Sequence, residues 1–156
     1  VSFKVAIAAE VALVTPTEQL REESALAFGR DLDCATDLTE DCAEIDGGSQ
    51  RAVAQAIVRR FITPRGGLID DYGHDVRQYC NRALTDRDIM AIEAQLSGEA
   101  SKDDRVESVS VAVQYTASTS TLRLTCIVHP RDPSLDVFTL TFELDADGEL
   151  IQEAIT

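Results

Sequence analysis

From Val106 onward the apolar residues fall on every second position: Val109, Val111, Val113 and Tyr115, then Leu122, Leu124, Cys126 and Val128, then Phe138, Leu140, Phe142 and Leu144. A period of two turns one side of each segment to a core and the other to solvent, so this stretch predicts three strands of an antiparallel meander. Ala117–Ser120 is short enough for a hairpin turn, and 129–134, with Pro130 and Pro133, makes the second connection. The faces away from the core read Thr121, Arg123, Thr125, Ile127 and Val137, Thr139, Thr141, Glu143. The chain turns again at Asp145–Gly148, which leaves the outer backbone edge of the last strand open, a hazard unless a partner uses it.

Upstream the period lengthens. Ser49 follows two glycines and precedes Val53, Ala54, Ile57, Val58, Phe61 and Ile62, one broad stripe of a helix that Ser49 caps. Arg51, Gln55 and Arg59 recur at a spacing of four on the opposite face, and Pro64 ends the helix near Thr63. A shorter helix is expected over about His74–Ala83, with Val76, Tyr79, Cys80 and Ala83 inward. Thr85 and Asp88 form a capping box for a third, in which Ile89, Ile92 and Leu96 keep helical spacing to Gly98 or shortly beyond. Residues 29–48 alternate weakly around Leu32, Cys34, Leu38, Cys42 and Ile45 and read as two short extended segments. The expected fold is α+β, with about three helices on a mainly antiparallel sheet that ends in the three-stranded meander. The expected division is an N-terminal extension, 1–28, contacting neighbours, and a single domain, 29–156.

At 156 residues, 44% of them apolar and 27% charged, there is room for one core. The net charge of −14 argues against nucleic-acid binding by the whole surface. Charge is unevenly placed: residues 1–48 carry 3 basic and 11 acidic side chains, 49–87 carry 7 and 4, and 88–156 carry 4 and 13. The basic island is all arginine: Arg51, Arg59, Arg60, Arg65, Arg77, Arg82 and Arg87. Arginine suits planar, bidentate contacts at interfaces, although a solvated helical face is an equally good reading of such a run. Val5–Val14, interrupted by Glu10, is too short to span a membrane and makes a poor signal peptide, so synthesis in the cytoplasm is expected.

Catalytic patterns are sparse. Cys34, Cys42, Cys80 and Cys126 have no Cys-x-x-Cys spacing, and His74 and His129 lie far apart, so neither a metal site nor a cofactor is expected. Cys80 and Cys126 fall in phase with core residues, while Cys34 and Cys42 could meet across a hairpin, the minority reading for a cytoplasmic chain. Asp70 and Asp71 beside Tyr72 are the carboxylates to weigh for glycosidase chemistry, but adjacent residues diverge and tryptophan is absent. Gly47-Gly48-Ser49 lacks the Gly-Lys-Ser/Thr signature of a phosphate loop. Phe61–Leu68 followed by Asp70–Gly73 holds Arg65 on a short, rigid loop beside a Tyr-Gly turn. That is a device for presenting a side chain, or equally a plain chain reversal.

At this segment the sequence resembles the small baseplate wedge proteins of contractile phage tails, often labelled lysozyme-like, with counterparts in type VI secretion baseplates. The resemblance rests on Gly29-x-Asp31-Leu32, Gly47/Gly48, the helix Ala52–Phe61 with Arg59 and Arg60, Thr63-Pro64-Arg65-Gly66, Asp71-Tyr72-Gly73, Asp75-Val76-Arg77 and the strand entry Asp103–Val109. It spans roughly 29–145. It implies a domain like the interlocking domain of tail-sheath subunits, and a non-enzymatic structural part of a virion tail baseplate with six copies per particle. The implied partners are other wedge proteins, the tail sheath protein and tube or hub proteins, with no nucleic acid and no membrane. The first sheath ring would be joined by strand addition at Val137, Thr139, Thr141 and Glu143. Arg51, Arg59, Arg60, Thr63, Pro64, Arg65, Gly66, Tyr72, Gly73 and Arg77 would face wedge partners. Some family members have Glu-Pro-Arg where this chain has Thr63-Pro64-Arg65. The rival readings are a peptidoglycan hydrolase using Asp70 or Asp71 with a distant carboxylate such as Glu93, and a free-standing acidic binding module or inhibitor.

Overall fold

Ser49 caps the first long helix as its position demands: its hydroxyl accepts from the Ala52 amide at 3.2 Å, and the chain enters helix α1, Gln50–Ile62. In the computed structural model, which describes residues 28–33, 44–68 and 71–156, α1 ends where Thr63 turns extended ahead of Pro64. The second helix, α2, runs Asp86–Ala100 and starts from the capping box of Thr85 and Asp88. Gly98 sits on an exposed turn of α2 and does not stop it.

Four strands follow: β3 Val106–Thr116, β4 Thr121–Pro130, β5 Phe138–Leu144 and β6 Leu150–Ile155, antiparallel and in sheet order β3-β4-β5-β6. Before them, β1 Arg30–Leu32 and β2 Glu44–Asp46 pair as a separate two-stranded ribbon. One face of the large sheet carries Val111, Val113, Leu122, Leu124, Cys126, Val128, Phe138, Leu140, Phe142 and Leu144, and it packs on Val53, Ala54, Ile57 and Phe61 of α1 and Ile92 and Leu96 of α2. Phe61 and Phe142 meet at 6.0 Å between ring centroids in the middle of this core. Truncating either would cost about 3–5 kcal/mol. Cys126 is buried and unbridged, its thiol pushed up to about 12 by burial, and Cys80 is a half-buried free thiol.

The α+β class, the mainly antiparallel sheet and the three expected strands are all present, with two departures. The expected helix over His74–Ala83 is a single 3-10 turn, Val76–Tyr79, because Asp75 and Asn81 both take left-handed backbone conformations, φ 53° and 60°. Val76 is buried and Tyr79 and Cys80 pack on the core, but Ala83 is exposed and Leu84 takes the inward position. The meander also has a fourth strand. β6 returns through the Asp145–Gly148 turn and pairs along Leu140–Leu144, so the edge of the third meander strand is not open. The extension up to residue 27, Cys34, Cys42 and Asp70 lie outside the described residues.

Candidate functional site

The loop after α1 is built around a carboxylate from α2. Positions 92, 96, 99 and 100 share the core-facing side of α2, and at 99 that side carries a glutamate whose side chain is only 1% exposed. Glu99 Oε1 accepts from the Gly73 amide at 2.9 Å and from Arg60 Nη1 at 3.3 Å. Lys102 Nζ donates to Oε2 at 2.8 Å, with Arg65 Nη2 3.7 Å from the same oxygen. Burial by itself would raise the carboxyl's pKa. The bonds from Lys102, the Gly73 amide and Arg60 outweigh it and hold Glu99 below the ordinary glutamate range.

The rest of the loop is locked to this anchor. The Arg60 guanidinium lies 4.6 Å from the centroid of the Tyr72 ring, and the His74 amide donates to the Arg60 carbonyl at 3.0 Å. Thr63 Oγ1 donates to the Arg59 carbonyl at 2.6 Å, closing the end of α1. Gly73 has φ 93° and lies so close under the Thr63 carbonyl that a Cβ there would collide with it. Lys102 also bonds the carboxylate of Asp71 at 2.8 Å, and that hydrogen bond, with the lysine's charge, keeps Asp71 low. His74 Nε2 lies 3.0 Å from the Tyr79 hydroxyl; burial first, then the charge of Arg65, lowers the imidazole pKa. The outward part of the loop is what this frame presents: Pro64, Arg65, Gly66 and Leu68 are exposed, with Arg65 Nε bonded at 3.4 Å to the Gly73 carbonyl.

The structure therefore brings Arg60, Thr63, Pro64, Arg65, Gly66, Tyr72 and Gly73 together and sends the other expected site residues elsewhere. Arg51 and Arg59 do not display an open arginine face. Arg51 is held by Asp33 and Arg59 by Asp31, two acids of the β1 segment that fold back onto the basic island. Arg77 bonds Asp75 at 2.8 Å and packs against Gly148 at the β5–β6 turn. Thr139, Thr141 and Glu143 lie on the outer sheet face, where Glu143 takes both Nε and Nη2 of Arg123 on one oxygen, at 2.9 and 2.7 Å, and Val137 is exposed just before β5. At Thr139, Thr141 and Glu143 the β5 edge is already taken by β6, while Val137 lies just beyond that pairing.

Among the described residues, β6 is the outer strand on this side of the sheet. Thr139 and Thr156 exchange both backbone bonds, at 2.7 and 2.9 Å, so by the alternation of an antiparallel ladder the backbone groups of Ile155 and Glu153 turn away from β5. The opposite edge differs: α2 packs along β3, and Glu93 accepts the Val113 amide at 2.9 Å. Glu93 is thus bonded to a strand amide, and Lys102 holds Asp71 below the ordinary carboxylate range, the opposite of what the raised acid of a carboxylate pair needs. Among the described residues no group of three or more His, Cys, Asp or Glu could hold a metal ion, and no helix is long and apolar enough to cross a membrane.

Sequence reasoning missed Glu99, Lys102 and Asp33, and it took Asp31 as part of a motif without naming a partner for it. The signal for Glu99 was present as a carboxylate on an apolar helix stripe with Lys102 three residues on. That for β6 was the apolar pair Leu150-Ile151 and Ile155 beyond a glycine turn. No family model matches the chain, and no curated protein matches it.

Proposed function

We propose that this chain is a structural component of the baseplate wedge of a contractile phage tail or related injection machine, joining wedge proteins to the first sheath ring by strand addition. The observation that carries the reading lies at the two outer strands of the sheet: on β3 the Val113 amide is taken by Glu93 of α2, whereas β6, the last strand of the sheet among the described residues, turns backbone at Glu153 and Ile155 away from β5. An extended arm from a sheath subunit would pair there, backbone bonds supplying affinity and alternate side chains supplying register. The fold would then be a version of the sheath interlocking domain. The exposed Pro64-Arg65-Gly66 tip, fixed from beneath by Glu99, would meet the wedge proteins.

A hydrolase is less favoured because Asp71 is held low by Lys102 and Glu93 is bonded to a strand amide. Quantitative mass spectrometry of purified contractile particles from the source, with sheathless baseplates alongside, tests the reading. The expected result is this chain in both, at a fixed low multiple consistent with six copies and far below the sheath protein. Absence from both overturns it. Glu153→Pro sharpens the test, because it removes an amide that β5 does not use: it should leave the fold intact and abolish sheath assembly.

A further inference from the structure

The β1–β2 ribbon is fastened in a different way from the rest of the molecule. None of its six strand residues is buried, and the apolar side chains of Phe28 and Leu32 are each 44% exposed. Its described attachments to the body are polar. Arg51 Nε donates to both oxygens of Asp33 at 2.9 Å, Gln55 Nε2 to Asp33 Oδ1 at 2.8 Å, and Arg59 Nη2 to Asp31 Oδ2 at 3.0 Å. At its base Arg105 Nη1 donates to the Gly47 carbonyl at 2.6 Å, and the guanidinium lies 5.7 Å from the Phe28 ring centroid.

The spacing of the carboxylates matches the helix. Two residues along a strand advance about 6.6 Å and four along a helix about 6 Å, so Asp31 and Asp33 fall in step with Arg59 and Gln55. Gln55, only 5% exposed, is a polar side chain covered by this ribbon. The acidic strand sits on α1 as a ligand sits on a receptor.

We propose that the ribbon is a strap latched by charge over the Arg51–Gln55–Arg59 stripe, and that the stripe is a receptor for an extended acidic segment with carboxylates at alternate positions. Asp31 and Asp33 fill it when the strap is closed, and an acidic segment of a partner chain fills it when the strap is lifted. The strap lies close to β6, since the charge of Glu153 also acts on Arg51, but the latch rests on the Asp31 and Asp33 contacts and not on the assembly reading.

Amide hydrogen exchange on the full chain tests the latch. The Gly47 amide donates to the Gly29 carbonyl, so the ladder's alternation puts the Ile45 amide in the ribbon's hydrogen bonds. In Asp31→Asn/Asp33→Asn these two amides should exchange at least about tenfold faster while the amides of β4 stay protected. Wild type in about 1 M salt, where the Debye length falls to roughly 3 Å, should move the same way. Unchanged exchange at Ile45 and Gly47 under both conditions overturns the latch. The receptor is tested with a synthetic peptide, Phe-Gly-Arg-Asp-Leu-Asp, followed by NMR on the arginine side-chain resonances. It should bind the double variant at least about tenfold more tightly than wild type, and binding should disappear when Arg51→Ala and Arg59→Ala are added. Equal binding to wild type and double variant, or none to either, overturns the stripe as a receptor.

Discussion

Two groups of ion pairs hold this molecule's loops, and they differ in kind. Around Glu99 a carboxylate 1% exposed is met by a backbone amide and by three cations, Arg60, Arg65 and Lys102. Around Asp31 and Asp33 the carboxylates are 35% and 15% exposed, the arginine partners 39% and 41%, and the segment they hold buries no strand residue. A buried charge stripped of its partners is costly, whereas exposed pairs exchange readily with water and salt. The first arrangement makes a fixed platform for Pro64 and Arg65; the second makes a contact that can be replaced.

Glu99→Ala should show the largest effect, about 3–5 kcal/mol in urea unfolding, since it leaves Arg60 and Lys102 facing an empty buried site. A loss under about 1 kcal/mol would erase the distinction between the clusters. Gly73→Ala comes next, at about 2–3 kcal/mol, because the new methyl group meets the Thr63 carbonyl in a left-handed backbone. Gly66→Ala, also left-handed with φ 77° but in open space, should cost about 1 kcal/mol; equal losses at the two glycines would show that strain rather than close packing governs the loop.

Acid gives a smaller, directional effect. A carboxylate whose folded pKa is lowered adds stability above its ordinary value of 4.5 and loses that share as pH falls through the folded value. Thermal melts should therefore show stability declining below about pH 4.5, and Glu99→Gln should flatten part of that decline. Smallest of all, Asp31→Asn with Asp33→Asn should change global stability by about 1 kcal/mol or less, read from the same urea midpoint. Arg65→Ala should be similarly mild for folding, its side chain being 60% exposed; under the function proposed above it should also remove the chain from assembled wedges.

Local chemistry made much of the fold legible. Ser49, Pro64 and the Thr85–Asp88 box act within a few residues, and the period-two runs of β3, β4 and β5 need only a core to face. The expected helix at 74–83 failed because the apolar spacing there is met by one 3-10 turn between two left-handed residues, a backbone choice that periodicity does not record. Strand β6 was hidden because its apolar residues do not alternate cleanly and its register with β5 shifts between Glu143 and Leu144. Of the site, the loop from Thr63 to Gly73 was visible as a motif, whereas Arg51 and Arg59, expected to face wedge partners, are held by Asp33 and Asp31 of this chain.

The sequence by itself determined where α1 begins and ends and where α2 begins, which faces of β3, β4 and β5 are buried and that a basic island sits within an acidic chain. Each of these follows from interactions between residues close in the chain, whose geometry is set by helix and strand repeats. Tertiary structure decided which acids meet which arginines: Asp31 with Arg59, Asp33 with Arg51, and Glu99 with Arg60. It also decided that β6 closes the β5 edge and becomes the outer strand among the described residues. These pairings join residues 18 to 39 positions apart, and charges of one sign have no local feature that names their partner until packing brings them within hydrogen-bonding distance.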